Sequence, residues 1–581
     1  MRRPDLSRSS NQSQGLALVE QPTPRSAGVL RGGRLPRNIF ILLSVFLAGC
    51  VFAVHRPSLG FQFILDDHRF TADPRIQNPD HIGDYFTSFV WAQFTGAQPS
   101  FYRPVFLLWL RLNFLVSGLS PWGWHLLSIS KHLLVAGLLG MLVWKLLRNS
   151  IAALLAASLF VLHPAHTESV NWVTVPDPLT AIGVLVALLC YFQFVDARVK
   201  PVRVERNRFK KRSPGRSSDL PFVWLSVSVV AYFGALLAKE TAIVFPLVIL
   251  GVGFRAPSVR GNESFGDRLR RAIADTGPFL GVTGIYLLLR LNALQGKLGA
   301  VTQHLPWTTV VLSWPAILSF YFKAMLWPDR SYSFADPILV EEPSIRGVLF
   351  PLLSTAFILG ALVLSLYWLR TRASVRLDSR SMAGADFGLL TGYLLLVLPL
   401  LPALNVNALN PGDFLHGRYT YLPLAGLMLL LATAWHLAGR AQAALLAASF
   451  FVMVLFAAST YSQEGQWRDD ATVFTTAHQL APHNEPVARN LADTHVRAAL
   501  LLQEQGRCNE AIPVFREVAR NDPQDWYAFA GLGYCLVEMN DLVGAEDSLH
   551  RAVEISHDPN ITQQWQELRA HIGLAVPVGP N

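Results

Sequence analysis

The stretch GLLGMLVWKLLRNSIAALLAASLFVLHPAHTESVNWVTVPDPLTAIGVLVALLCYFQFV, residues 137–195, decides the fold class. Three apolar runs follow one another here, at 124–147, 151–163 and 178–195. Only a basic hinge and one polar segment, 163–177, separate them. A membrane-crossing helix needs about 17–25 residues that are mostly apolar, so the first and third runs span unaided and the second borrows residues from its flanks. No water is available inside lipid to satisfy a bare backbone, so the expected elements are helices.

The pattern extends in both directions. Further apolar runs lie at about 39–55, 221–238, 241–254, 277–292, 347–369, 386–403, 420–438 and 441–461. Of the 581 residues, 51% are hydrophobic and 15% charged, against about 25% charged in an ordinary soluble domain. The net charge of +9 divides unevenly: from residue 462 onward the chain carries −9 and before it +18. The basic excess sits in short loops between apolar runs, where it reads as topology signal and not as affinity for nucleic acid. The tail 1–37 has 7 Arg/Lys against 2 acids, the loop 196–219 has 9 against 3, 255–275 has 5 against 3, and 370–380 has 4 against 1.

These four basic segments belong on the cytoplasmic side. That parity holds only if two ambiguous runs, 104–119 and 308–326, do not cross but lie along the outer interface or dip into it. About 11 spans result. Asp66 and Asp67, the segment 163–177, Lys239 and Glu240, and the loops 327–346 and 404–418 then share the opposite face. So does everything after residue 461. The domain reading is a disordered basic cytoplasmic tail over 1–37, a transmembrane domain over 38–461 and a helical repeat domain over 462–581.

The C-terminal part is periodic. Ala511, Phe515 and Pro523 keep the spacing of a tetratricopeptide repeat (TPR), and Gly533, Ala545 and Ala552 keep the register one repeat on. Trp565 and Leu568 are expected to cap the stack. So short an array needs support from the membrane domain or a cap from 462–482. Four cysteines give no framework; spacing leaves open whether Cys508 and Cys535 pair.

Several polar groups on the shared face suit chemistry. Adjacent carboxylates such as Asp66 and Asp67 repel, so one tends to hold its proton; one can then take a proton from an acceptor hydroxyl while the other orients. Asp67 is the first choice as base. Arg103, after Tyr102 and before a helix-starting Pro104, suits either a headgroup or a bound lipid phosphate. The cluster His163, His166, Glu168 and Asp177 suggests metal, but its spacing matches no closed zinc site. It reads better as a hydrogen-bonded scaffold or substrate site; no metal ligand is assigned, and a divalent metal stays an alternative. Lys239 and Glu240 lie between two apolar runs, where charges default to functional or mutually paired roles. Arg418 and Tyr419 read as an aromatic-belt anchor or a phosphate site.

Taken in order, these motifs resemble a known family. DD (66–67) precedes YRP (102–104) and RLN (111–113). HPAHTESVNWV (163–173), KET (239–241), WPDRSYSFAD (327–336) and GRYTYLP (417–423) follow, and then the repeats. The arrangement resembles the transmembrane and tetratricopeptide-repeat O-mannosyltransferases and their bacterial relatives, within the GT-C glycosyltransferase superfamily. The resemblance runs over about 39–560. It implies an all-α polytopic bundle of GT-C type followed by a small TPR-like α-solenoid. It further implies an inverting glycosyltransferase that uses a polyprenyl-phosphate sugar as donor and acts at the outer face. The acid of the first outer loop, Asp66 or Asp67, is then the base. Tyr102, Arg103, His163, His166, Glu168, Asp177, Lys239, Glu240, Arg418 and Tyr419 are the candidate substrate-binding residues. Gly417 stands where the family's motif carries an acid. The expected partners are the membrane, the lipid-linked sugar, and an acceptor protein or glycan held by the repeats, with no nucleic acid. A bacterial inner membrane with periplasmic repeats is the expected setting. A transporter of lipid-linked sugars or a non-catalytic scaffold is the alternative.

Overall fold

A computed structural model describes residues 35–94, 100–199, 220–257, 263–297, 299, 303–329, 335–336, 338–410, 412 and 415–573. The basic tail 1–34, most of the loop 196–219 and the core of the WPDRSYSFAD motif lie outside the described residues. Every regular element among those described is helical. Ten helices are long and apolar enough to cross a membrane, or eleven when the pair Ser150–Val161 and Pro164–Asn171, bent by 57°, is taken as one span. The chain is thus an all-α, multi-pass membrane bundle with a helical C-terminal module.

Ion pairs sort the helix ends into two layers. In one layer, Lys145 meets Asp196, Arg198 meets Asp275, and Asp386 meets both Arg255 and Arg370. This end carries the Arg-rich loops. In the other layer, Lys239 meets Asp177 and Arg103 meets Glu240. There Glu464 at the foot of the last span meets His55 at the foot of the first, 2.8 Å apart and both buried.

The layers settle the two ambiguous segments and the short crossing after Lys239. The segment after Lys239 is a 3-10 turn, Glu240–Val244, followed by the helix Phe245–Arg255. Each piece is short, but Lys239 is anchored in one layer and Arg255 in the other, so the pair crosses. Its rise is about 26 Å at ordinary 3-10 and α-helical pitch, close to the hydrocarbon thickness. The helix Trp307–Leu326 is long enough to cross by length and composition, yet both its ends stay in one layer. The Leu305 amide donates to Asn407 Oδ1 at 3.0 Å, Trp314 Nε1 donates to the Leu404 carbonyl at 3.0 Å, and the Met325 carbonyl lies 3.1 Å from His163 Nε2. The helix Pro104–Ser117 also stays there, with buried Arg111 donating to the Ile76 carbonyl at 2.7 Å.

Close helix contact in the centre depends on small residues. A Cβ on Gly426 would come within 2.5 Å of the Leu396 amide nitrogen and 2.7 Å of the Gly392 carbonyl oxygen. Only glycine allows the helices Ser379–Val397 and Tyr421–Leu437 to cross backbone to backbone there. The segment between the first span and Pro104 folds on its own small core of Phe70, Ile76, Tyr85, Val90, Phe106, Leu107, Leu110, Trp124 and Val173. Buried Arg75 pairs with Asp73 and donates to the backbone carbonyls of Phe89 and Val90, which closes the loop.

The C-terminal module consists of Asp470–Leu480, Glu485–Glu504, Cys508–Asn521, Trp526–Glu538, Leu542–Ser556 and Pro559–His571. Asp469, Asn484, Asp525, Asp541 and Asp558 each cap a helix by accepting from its first backbone N–H groups. Ala511, Phe515, Ala545 and Ala552 are fully buried in one core, with Trp565 and Leu568 closing its end. Cys508 and Cys535 form a disulfide inside that core, which answers the question their spacing left open. The support expected for so short an array comes from both sources. Asp470–Leu480 covers its first helix, and Asn484 Nδ2 donates to the carbonyls of Ala335 (3.0 Å) and Gly412 (2.8 Å) in two loops of the membrane domain.

Candidate functional site

Eleven residues, 167–177, organise the site. Pro164 and Pro176 keep a long helix from forming here, and the chain makes a short helix, Thr167–Asn171, then a turn closed by the Val175 N–H on the Trp172 carbonyl before the span that starts at Asp177. Each step of this segment holds a group from elsewhere in the sequence. Glu168, 1% exposed, accepts from the Arg418 backbone N–H at 3.0 Å and from Arg418 Nη1 at 3.1 Å, and His416 Nδ1 lies 3.3 Å away. The Arg418 guanidinium lies over the Trp172 ring at 4.5 Å. Thr174 donates its N–H (3.1 Å) and its hydroxyl (2.7 Å) to Asp67 Oδ1. The Val175 carbonyl accepts from Lys131 Nζ at 3.4 Å. Asp177 accepts from Lys239 Nζ with both oxygens, at 2.7 and 2.8 Å.

The neighbouring Glu240 takes Arg103 in a two-pronged pair at 2.9 and 2.6 Å. Residues 239 and 240 thus join the head of the helix Pro104–Ser117 to the hub segment. Tyr419 lies between the cations, its ring 4.8 Å from Lys239 Nζ and 5.7 Å from the Arg418 guanidinium. Beside it a small recess is lined by Asp177, Thr180, Thr241, Pro399, Tyr419, Leu422 and Pro423. Its wall is apolar on the side of Pro399, Leu422 and Pro423 and polar at Asp177 and Tyr419. That combination suits a ligand with a hydrocarbon portion and a charged head.

The two aspartates differ sharply. Asp67 is fully buried and accepts a third bond, from the Ile64 N–H at 3.2 Å. Burial pushes its carboxyl up to about 7, against the opposing pull of the Thr174 and Ile64 donors. The cause is therefore desolvation and not the expected repulsion from Asp66. Asp66 is half-buried at the head of the short helix Asp67–Ala72 and makes no side-chain cap there. Asp67 is tied to the hub through Thr174, and Asp66 stays half-buried beside it.

Of the other sequence candidates, Arg103, Glu168, Asp177, Lys239, Glu240, Arg418 and Tyr419 are brought together. Tyr102 is not among them: it is fully buried against Tyr286, and its hydroxyl donates to the Phe86 carbonyl at 3.1 Å. His163 and His166 lie behind the hub. His163 Nδ1 accepts from the Ala165 N–H at 3.2 Å and its Nε2 meets the Met325 carbonyl. His166 is packed among His132, Phe160 and Tyr421. Glu168 turns away from both histidines toward Arg418, so the metal alternative has no converging donor set; among the described residues no group of three His, Cys, Asp or Glu is arranged to hold an ion.

Lys131, Thr174 and Asp470 escaped the sequence reading. Lys131 was detectable as a lone charge in the first five turns of an otherwise apolar span. A Thr in a loop and an Asp beyond the last span carry no such signal.

Comparison with known proteins gives the chain its relatives. The description "Tetratricopeptide repeat" matches residues 502–572. Over 532 residues, 88% of this chain and 55% of the relative, the sequence is 22% identical to Protein O-mannosyl-transferase TMTC3 of Homo sapiens. It is 26% identical to Protein O-mannosyl-transferase TMTC1 of Homo sapiens over 527 residues, 84% of this chain and 56% of the relative. The chain thus spans about half the length of these curated relatives. Among solved structures it aligns with ArnT from Cupriavidus metallidurans bound to undecaprenyl phosphate, at 14% identity and a TM-score of 0.36, covering 89% of this chain and 80% of that one.

Proposed function

We propose that the chain is a GT-C-type membrane glycosyltransferase that moves a sugar from a polyprenyl-phosphate donor to an acceptor hydroxyl. The reaction takes place in the layer opposite the Arg-rich loops, which is the outer face. Support comes from the likeness to proteins named protein O-mannosyl-transferases along most of this chain. One structural observation carries the reading: a single eleven-residue segment holds Asp67, Lys239 and Arg418, and the two cations lie against Tyr419, which lines a recess with an apolar wall.

The chemistry follows from the parts. Asp66 takes the proton of the acceptor hydroxyl. The freed oxygen attacks the anomeric carbon from the face opposite the phosphate, the bond from that carbon to the phosphate oxygen breaks, and polyprenyl phosphate leaves with the bonding pair. Cations aimed at the phosphate stabilise the charge that develops there. Lys239 and Arg418, beside Tyr419, are assigned to that role, with Arg103 at the rim. Each is matched by a carboxylate, Asp177, Glu168 and Glu240 respectively, which offsets the cost of burying the cations. Pro399, Leu422 and Pro423 take the isoprenoid side. The repeats hold an acceptor protein or glycan near the recess, and the setting is a bacterial inner membrane with the repeats in the periplasm.

Donor recognition is tested by titrating polyprenyl phosphate into the full chain in nanodiscs and following the thermal midpoint. A rise in the wild type that disappears in Lys239→Gln and Arg418→Gln is expected. An equal rise in all three proteins removes the phosphate site.

A further inference from the structure

The turn that presents Asp66 and Asp67 contains a residue in an unfavourable conformation. Leu65 has φ +53°, the left-handed region that a residue with a branched side chain resists. Such a conformation persists where the surroundings impose it, and it concentrates at functional sites. The restraint comes from beyond the last span. Asp470 Oδ1 accepts the Leu65 N–H at 2.8 Å, and its Oδ2 lies 3.1 Å from Nε2 of His68, on the helix that Asp67 begins. The Gln62 N–H donates to the Arg468 carbonyl at 2.9 Å. Around these bonds Phe61 and Ile64 are buried with Trp467, Val473 and Phe474 in one small core.

Asp470 is not occupied by its own helix. The cap of Asp470–Leu480 is supplied by Asp469, whose side chain accepts from the Thr472 N–H at 2.8 Å. Asp470 is therefore turned outward, at 17% exposure, onto the acidic turn. The same helix packs on Glu485–Glu504, the first helix of the repeat array.

We propose that Asp470 is a positioning residue that fixes the Leu65 turn and so aims Asp66, making the start of the C-terminal module part of the reaction centre as well as an acceptor platform. This rests on the reading of Asp66 as the base. Two activity-independent facts separate it from that reading: the bond to the Leu65 amide, and the strain at Leu65, which a glycine removes.

The test uses the full chain in nanodiscs, as wild type, Asp470→Ala, Asp470→Asn, Leu65→Gly and the double variant Leu65→Gly/Asp470→Ala. Hydrogen exchange at the Leu65 amide is measured beside turnover of a labelled polyprenyl-phosphate sugar. In Asp470→Ala, exchange at Leu65 accelerates and kcat falls, each by at least about tenfold, the expected consequence of losing a charge-assisted bond; the donor KM stays unchanged. Asp470→Asn, whose amide oxygen still accepts from Leu65, keeps most of both. The double variant recovers at least half of the lost kcat, because glycine adopts φ +53° unaided, which a general loss of folding would not permit. Unchanged exchange in Asp470→Ala, or no recovery in the double variant, overturns the proposal. A wild-type chain that turns over no donor overturns the catalytic reading, while the exchange arm still decides whether Asp470 holds the turn.

Discussion

Replacing Asp67 with Asn changes how stability depends on pH, and the structure sets the size of the change. The Asp67 carboxyl is raised to about 7 in the folded chain by its complete burial, against about 3.9 when unfolded. A folded acid with a raised pKa holds its proton longer than the unfolded one. Its contribution to stability is therefore fully present below about pH 4 and is lost as the pH rises to about 7. Some three units at about 1.4 kcal/mol each amount to a loss on the order of 4 kcal/mol across that window. Asn cannot ionise, so the variant lacks this slope. It also has a cost of its own. With its amide oxygen facing the Thr174 donors, its NH₂ faces the Ile64 N–H, and an unmatched buried donor costs about 1–3 kcal/mol. The two curves should cross: Asp67→Asn is the less stable protein at pH 4 and the equal or more stable one at pH 8. Unfolding midpoints read by tryptophan fluorescence in nanodiscs, from pH 4 to 8, measure this directly. His68 is raised chiefly by Asp470 and also by Asp67, so both proteins are compared in a His68→Asn background, where the difference between the curves isolates Asp67. Parallel curves would refute the assignment of a buried, neutral Asp67.

Arg418→Met leaves Glu168 buried without its cation and should lower stability by about 3–5 kcal/mol; adding Glu168→Gln should recover much of that in the same midpoint assay, and no recovery would show that the pair is not what holds residues 168 and 418 together. Gly426→Ala places a methyl group within 2.5 Å of the Leu396 nitrogen, and overpacking of this kind should cost about 1–3 kcal/mol in the unfolding midpoint. Reduction of the Cys508 and Cys535 bridge should destabilise the repeat module by about 2–4 kcal/mol, seen as faster hydrogen exchange over 508–556 with the span Pro121–Leu147 unchanged; equal acceleration in both would mean that the two parts unfold as one.

Much of this arrangement is written in local chemistry. Apolar length marks the spans, and the Arg excess of four loops puts Asp66, Glu168, Lys239 and Arg418 at one end of the bundle. The repeat register is legible because Ala511, Ala545 and Ala552 must be small where paired helices touch. The crossing of Glu240–Arg255 is legible from loop charge even though its helix is short, since charge counts depend on sidedness and not on helix length. Pairing is another matter. Arg103 with Glu240 and Lys239 with Asp177 join segments 137 and 62 residues apart, and no periodicity encodes which acid meets which base. Tyr102 carries the same sequence signal as Arg103, yet burial turns it into packing while Arg103 stays at the rim. Asp470 is an ordinary acid after a span until the backbone of Leu65 is known.

The central claim is that an acid at residue 66, on the turn that Asp470 holds, drives sugar transfer from a lipid carrier. Its most direct test is the transfer of a labelled sugar from polyprenyl phosphate by the purified chain, comparing wild type with Asp66→Asn at matched protein folding. Loss of about a hundredfold or more in the variant, the scale of a removed general base, is the predicted result, with donor binding retained. Equal transfer by the two proteins would contradict the account.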